Sequence, residues 1–505
     1  LARSPLLIGL DLGTSGLKAI AVCASTGACV AIAERGYQLH TSVPGAAEQD
    51  PEEWWQAACV ALHELWQQRN VDPDAVAGVG LSGQMHGVVA LDASGKALRP
   101  ALTWADSRCA AQVEELNRLL GREVLIQRTG SAPNTSFSAP KLLWLRKHEP
   151  EVFTRAAVFL LPKDVLRLRL TGAVATDHSD ASATLLYDIR RCGWCMELLD
   201  VLDIPQEKLP PVLPSGAIAG RVTTSAAAQT GLPAGIPVAT GAGDQEAAAI
   251  GSDVLTEGAL LVTIGTGGQL FAPLDTPRID VHGRVHTLCH AVPDHWHLLG
   301  AILAAGLALR WFAGQFARDL VGTATIASLL KEAATVPPGS EGLIFLPYLL
   351  GERTPHFNPH ARAVFAGFSL RHTRAHAARA VLEGVAFALR DGLEVLRELG
   401  ISAAEPALLA GGGARSPLWR QIVADVFNRP VATRDGAATG SALGAALLGG
   451  VAAGIYADIH EATQRTIPYA RVSEWPDVSR VELYQRQYER FRELFAAAVA
   501  RENGG

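Results

Sequence analysis

Leu6-Leu7-Ile8-Gly9-Leu10 runs directly into Asp11-Leu12-Gly13-Thr14-Ser15-Gly16, and this stretch decides how the chain is read. An apolar strand that ends in a glycine-threonine turn brings backbone N–H groups and a hydroxyl to one point, a small anion nest. The pattern returns once. Ala259-Leu260-Leu261-Val262-Thr263 leads into Ile264-Gly265-Thr266-Gly267-Gly268. Two nests on two strands imply two related halves facing one polyphosphate. The first carries a carboxylate, Asp11, where a Mg²⁺ on that polyphosphate needs one. The second has Ile264 there, so any metal site is one-sided. Between them, Gly241-Ala242-Gly243-Asp244-Gln245 sets one aspartate in a glycine-lined turn with no lysine or arginine nearby in sequence. Asp244 suits catalysis, and it equally suits the N-cap of a helix starting at Gln245.

Outward from these turns the halves take shape. Strands are expected at 6–10, 17–22 and 28–38. A helix then starts at Pro51, capped by Asp50, with Glu53 completing a capping box and Trp54, Ala58, Leu62 and Leu65 as its apolar stripe. Residues 76–81 read as a buried strand ending at Ser82-Gly83-Gln84-Met85-His86-Gly87. The second half repeats the order with strands at 259–264 and 269–272 and a hairpin turning at Pro293-Asp294. A long helix is expected from about 302. Residues 406–410 form a strand running into Gly411-Gly412-Gly413-Ala414-Arg415-Ser416 and a helix over 417–427. The last helix, about 478–501, carries Val481, Tyr484, Tyr488, Phe491 and Phe495 on one packing face. The fold class is therefore α/β, in two halves. Residues 100–215 have no clear counterpart in the second half and read as an elaboration that shapes a substrate cleft. The division is placed at 1–243 and 244–505.

Composition limits the function. A chain of 505 residues exceeds one ordinary core. Its formal net charge of −6 argues against a general nucleic-acid binder. The apolar stretches 298–309 and 442–457 are too short or too rich in alanine and glycine to span a bilayer, and both read as buried helices. A strand stands near the N-terminus in place of a signal core, so neither export nor a membrane is expected, and the location expected is cytoplasmic. Seven cysteines fit that reducing setting. Cys192-Gly193-Trp194-Cys195 has redox spacing but no thioredoxin-like strand before it, and reads as coincidence. Arg371, His372, Arg374, His376 and Arg379 read as a solvated face.

Together these blocks resemble the FGGY carbohydrate kinases. Beside the two nests, the Gly243-Asp244-Gln245 turn and the Gly411–Ser416 loop, the resemblance rests on Ser136-Phe137-Ser138-Ala139-Pro140-Lys141 and on the stretch from Gly367-Phe368 to Glu383-Gly384. Gln84-Met85-His86-Gly87, Leu161-Pro162-Lys163-Asp164 and Gly351-Glu352-Arg353-Thr354-Pro355-His356 resemble most closely the members that act on D-xylulose. The resemblance implies two actin-like, ribonuclease-H-type domains closing on ATP, Mg²⁺ and a small sugar, with the γ-phosphoryl group passing to the 5-hydroxyl of D-xylulose. It makes Asp244 the catalytic base and a sugar contact, and puts Asp11 near Mg²⁺. It assigns Met85, His86, Trp104 and Asp106 to the sugar. Gly13, Thr14, Gly265, Thr266 and Gly267 fall to the phosphates, and Gly412, Gly413 and Ser416 to the adenosine side. Three departures stand out: Ala105 where asparagine often precedes Asp106, Gly267 where serine is common, and Gln245-Glu246 where asparagine and alanine are frequent. The first and third touch the sugar side and leave open another pentulose or a sugar alcohol as substrate. An actin-like nucleotide switch is the non-enzymatic alternative, and a homodimer is the one macromolecular partner considered.

Overall fold

The computed structural model describes residues 4–69, 71–320, 324–402, 406–434 and 439–502. Two α/β domains are built on two mixed sheets, each an antiparallel meander extended by parallel strands from its first strand. In the first, β1 (Leu6–Leu12), β2 (Gly16–Cys23) and β3 (Cys29–Gly36) form an antiparallel meander. β4 (Val76–Gly83) lies parallel to β1, followed outward by β6 (Pro237–Ala239) and by β5 (Ile218–Arg221), and β7 (Ala242–Gly243) also lies parallel to β4. α1 (Pro51–Trp66) covers one face, with Trp54, Ala58, Leu62 and Leu65 buried as the periodicity requires. Burying each large side chain of that stripe contributes about 1.5–3 kcal/mol. Asp50 caps α1 by accepting from the Glu52 N–H. Glu53 does not close a capping box. Its carboxylate accepts from the Gln38 N–H instead, tying the end of the meander to the helix.

The elaboration between β4 and β5 supplies α2 (Ser138–His148), α3 (Pro162–Thr171) and α4 (His178–Ser182). α5 (Asp244–Gly251) follows β7 directly. The second sheet then repeats the first. β8 (Leu261–Ile264), β9 (Gly268–Leu274) and β11 (Trp296–Ile302) form the meander, with β10 (His286–Cys289) added as a hairpin partner of β11. β12 (Ala407–Ala410) and β13 (Val431–Thr433) extend the sheet in parallel from β8, and β14 (Arg471–Glu474) closes it. The stretch 298–309 is not one helix. Its first half is the buried strand β11, and α6 (Gly306–Phe316) begins only after it. An apolar run buried on both faces lacks the periodicity that separates strand from helix.

α7 (Arg374–Glu398) and α8 (Pro417–Phe427) pack in the second core, beneath the Tyr484, Tyr488 and Phe491 face of α10 (Val478–Glu502). Arg379 is not solvated. It is buried on α7 against Glu383, which also accepts from Ser340 Oγ and Tyr484 Oη. Arg374 is paired with Asp319 and Glu332.

α9 (Gly440–Ala452) reaches back and lies against the first sheet, with Ala442, Ala446 and Leu447 packed on Leu7, Ile20 and Val22 and on Ala247 and Ile250 of α5. No helix among the described residues is long and apolar enough to cross a membrane.

Candidate active site

Parallel strands deliver loops at their carboxyl ends, and ligand sites of α/β sheets form there. The register of the first sheet aligns Asp11 with Ser82, and Ser82 with Ala242. The turns that follow β1, β4 and β7 therefore emerge side by side, bringing Asp11, Gln84–His86 and Asp244 together. Asp244 is the first residue of α5, and Gly243 occupies the cap position, so the aspartate does not serve as an N-cap. Its carboxylate accepts a 3.2 Å hydrogen bond from Gln245 Nε2. Burial, and then the negative charge of Asp11, push the Asp244 carboxyl up to about 7. Asp11 is also raised, by burial, although Ser82 Oγ donates to it at 2.5 Å and Lys18 opposes the shift.

A buried network holds the Asp244 turn from behind. The Gly243 N–H donates to Ser179 Oγ at 3.0 Å, and Ser179 in turn donates to Asp177. Lys163 Nζ lies 2.7, 2.8 and 2.9 Å from Asp164, Asp177 and Asp180, all fully buried. Such a lysine is held charged by its carboxylates, and its own folded value is raised despite burial.

His86 closes the turn after β4 in a left-handed backbone conformation, φ 70°. Its Nδ1 lies 2.8 Å from the Ala183 carbonyl. A carbonyl only accepts, so Nδ1 carries the proton and Nε2 is left as an acceptor. Burial pulls His86 down to about 3, so the ring is neutral. Phe137 stands edge-on to it, with ring centres 4.7 Å apart. Lys141 fixes Phe137 by donating to three carbonyls, at Thr135, Ser136 and Phe137. Met85 is buried against Gly243, Phe271 and Leu288. Trp104 donates from Nε1 to Thr14 Oγ1 at 2.9 Å, so the sugar-side block touches the first nest. Asp106 is spent elsewhere: buried, it accepts from the Ala47 N–H at 2.9 Å and pairs with Arg108.

The second sheet brings Gly265–Gly267 and Gly411–Gly413 together in the same way. A Cβ on Gly411 would fall 2.6 Å from the Ile264 oxygen, and one on Gly413 would fall 2.5 Å from Ile264 Cγ2. Gly412 faces open space. Thr266 Oγ1 accepts from Arg310 at 3.0 Å. Ser416 caps α8, accepting from the Trp419 N–H.

Two residues beside the site receive no role from the sequence. Arg353 hydrogen-bonds Ser136 Oγ at 2.6 Å and lies over the Trp104 ring at 5.4 Å, crossing from the second domain. His286, on β10, stands edge-on to Phe137, with ring centres 5.3 Å apart. Arg353 stood in a quoted motif, but only tertiary structure shows where it reaches.

Comparison with known proteins follows this geometry. Residues 6–251 match the N-terminal domain of the FGGY family of carbohydrate kinases, and residues 260–453 match its C-terminal domain. The chain is 38% identical over 488 residues to the xylulose kinase of Escherichia coli (strain K12), covering 97% of this chain and 98% of that one. It is 35% identical over 492 residues to the xylulose kinase of Bacillus subtilis (strain 168), covering 97% and 96%. The crystal structure of a xylulose kinase from Rhodospirillum rubrum superposes with a TM-score of 0.88 at 34% identity, covering 97% of this chain and 98% of that one.

Proposed function

This chain belongs to the FGGY family of carbohydrate kinases, and on that premise we propose that it is a xylulose kinase, passing the γ-phosphoryl group of ATP to the 5-hydroxyl of D-xylulose. The observation that carries the proposal is Asp244, poised near neutrality at a strand-end turn beside Asp11. Phosphoryl transfer needs alignment and charge neutralisation more than covalent help. The acceptor hydroxyl must still lose its proton, and a carboxylate with a value near the working pH is suited to take it.

The remaining residues divide the work. Asp11 is the residue that would hold Mg²⁺ in this reading. The fit is chemical: two carboxyl groups repel each other here, and no cluster of three metal-ligating side chains occurs among the described residues. A magnesium ion that keeps several waters and relies on phosphate oxygens needs no such cluster. When bound, it neutralises charge on the phosphates. Gly13 and Thr14 hold those phosphates from one side, and Gly265, Thr266 and Gly267 from the other. Gly412 leaves room for the nucleoside, Gly413 lets the loop close against Ile264, and Ser416 shapes the loop as a helix cap. Met85, Trp104 and His86 form the sugar wall, and Asp106 stiffens it from behind. The free state of all seven thiols suits a reducing compartment such as the cytoplasm. We place the domain division between 251 and 260, where the two family matches adjoin, in place of 243/244, so that β1 to β7 and α5 lie on the sugar side and β8 to β14 on the nucleotide side.

Coupled ADP release over ketopentoses, polyols, glycerol and gluconate tests the reading. Gluconate belongs in the panel because the Arg353 guanidinium would also pair with a sugar acid. ADP should form with D-xylulose in preference to the others. Strong turnover of another sugar with weak turnover of D-xylulose would reject the named substrate.

Two variants refine it. His86→Asn removes the Nε2 acceptor while tolerating the left-handed backbone better than alanine does. It should raise KM for D-xylulose about tenfold, from ~1.4 kcal/mol of lost binding, with little change for ATP. An unchanged sugar KM would make His86 a packing residue. Thr266→Val should raise KM for MgATP about fivefold, from ~1 kcal/mol, and leave the sugar constants alone. Unaltered ATP kinetics would make the second nest a turn only.

A further inference from the structure

Glu246 and His297 meet deep in the contact between the domains. Glu246 lies on α5, two residues after Asp244, and His297 lies on β11, the strand that ends at Ile302 beside the second nest. Both side chains are fully buried, and Glu246 Oε1 is 3.3 Å from His297 Nε2. Among the described residues, neither carboxyl oxygen and neither ring nitrogen has a formed hydrogen bond, so the 3.3 Å approach is a close polar contact between otherwise unpartnered groups. Their surroundings leave no room to move. A Cβ on Gly243 would come within 2.4 Å of Glu246 Oε2 and 2.9 Å of Met85 Cγ. Phe271 stacks on the His297 ring at 4.1 Å.

Charge accounting defines what joins the pair. Lys163 and Arg167 already face Asp164, Asp177 and Asp180, all fully buried. A further uncompensated carboxylate at Glu246 would be costly there. One proton shared across the 3.3 Å contact would give each the partner it lacks.

We propose that Glu246 is a positioning residue for phosphoryl transfer: its contact with His297 pins the helix that carries Asp244 to the strand that leads to the second nest. The pair thereby sets the separation of the base from the phosphate side. Small displacements of this kind are costly, since misplacing a reacting group by ~1 Å can lower a rate about 100-fold. The groups facing Glu246 are Asp177, Asp180, Asp244 and His297, and those facing His297 are His290, His286 and Glu246. Neither side chain is itself assigned to sugar or nucleotide, so the effect falls on kcat more than on the binding constants. This inference rests on the kinase reading of Asp244.

The test uses the full chain, MgATP and whichever sugar the panel shows to be turned over. Glu246→Ala and His297→Leu should each lower kcat about tenfold, with the sugar KM within about twofold of wild type. The double variant should lose no more than either single one, because both break the same contact. Glu246→Gln keeps an N–H donor for Nε2 and should recover at least about half of the wild-type kcat. Wild-type kcat in Glu246→Ala, multiplied losses in the double variant, or a glutamine variant as poor as alanine would each overturn the proposal. If Glu246→Ala does not fold, His297→Leu carries the same comparison. A wild type that releases no ADP with any sugar rejects the kinase reading itself, which separates that failure from this one.

Discussion

Replacing Asp244 with asparagine lowers kcat at least about 100-fold and leaves sugar binding nearly intact. Asparagine keeps the shape at the head of α5 and still accepts from Gln245, but it cannot take a proton. The pH profile supplies an independent check. Burial and Asp11 raise the Asp244 carboxyl from 3.8 to about 7. A base works only when ionised, so kcat/KM of the wild type should be full above that value and fall as the pH drops through it. The acid limb should vanish in the variant's residual rate. Stability runs the other way. A carboxyl whose folded value is raised favours the protonated folded state, and that contribution is lost as the pH climbs from about 4 towards about 7. Asparagine never ionises, so the variant at pH 8 should melt no lower than wild type. Near-normal turnover would remove Asp244 from the base role. A loss of activity accompanied by a lower melting temperature would assign it to the fold instead.

Much of this site could be read before the structure, because its chemistry is local. Asp11–Gly16 and Ile264–Gly268 are strand-to-turn transitions, visible wherever an apolar run stops at glycine and threonine. The helix expected over 417–427 spans Pro417–Phe427, since proline opens it and Ser416 caps it. What escaped the sequence is what needs two distant segments. Arg353 reaches Ser136 across 217 positions, and Trp104 reaches Thr14 across 90. Asp106 belongs by motif to the sugar block, yet its oxygens are taken by Ala47 and Arg108. The stretch 298–309 misled because burial on both sides erases the difference between strand and helix periodicity. Glu246 was legible only as a departure from the family pattern, since an acidic residue inside a domain contact has structural meaning only once His297 is beside it.

Gly80→Ala should cost about 3 kcal/mol or more and reduce turnover in whatever protein still folds. Gly80 lies on β4, where α9 crosses the sheet. A Cβ there would stand 1.7 Å from the Ala445 carbonyl oxygen and 2.8 Å from the Gly449 nitrogen, both backbone atoms of α9. No rotamer change relieves a clash with backbone, so the helix must lift. Neighbouring glycines bring the same two surfaces into contact: a Cβ on Gly9 would stand 2.0 Å from the Ala442 oxygen, and one on Gly78 would stand 2.4 Å from the Gly449 oxygen. The helix is thus held along its length by the absence of side chains beneath it. Lifting it also opens its contact with α5, where a Cβ on Gly444 would meet the Ala247 oxygen at 1.9 Å. Ser441 of α9 donates to the backbone oxygen of Asp244 at 3.1 Å, so displacing α9 also shifts the base. Gly314→Ala is the matched control. It sits in α6, exposed, with open space where the Cβ would go. Alanine should stabilise that helix by about 0.5–1 kcal/mol through backbone entropy. Thermal melts of the two variants should therefore move in opposite directions, with kcat falling only for Gly80→Ala. A Gly80→Ala protein that melted like wild type would show that α9 is not seated against β4 by contact of backbone on backbone.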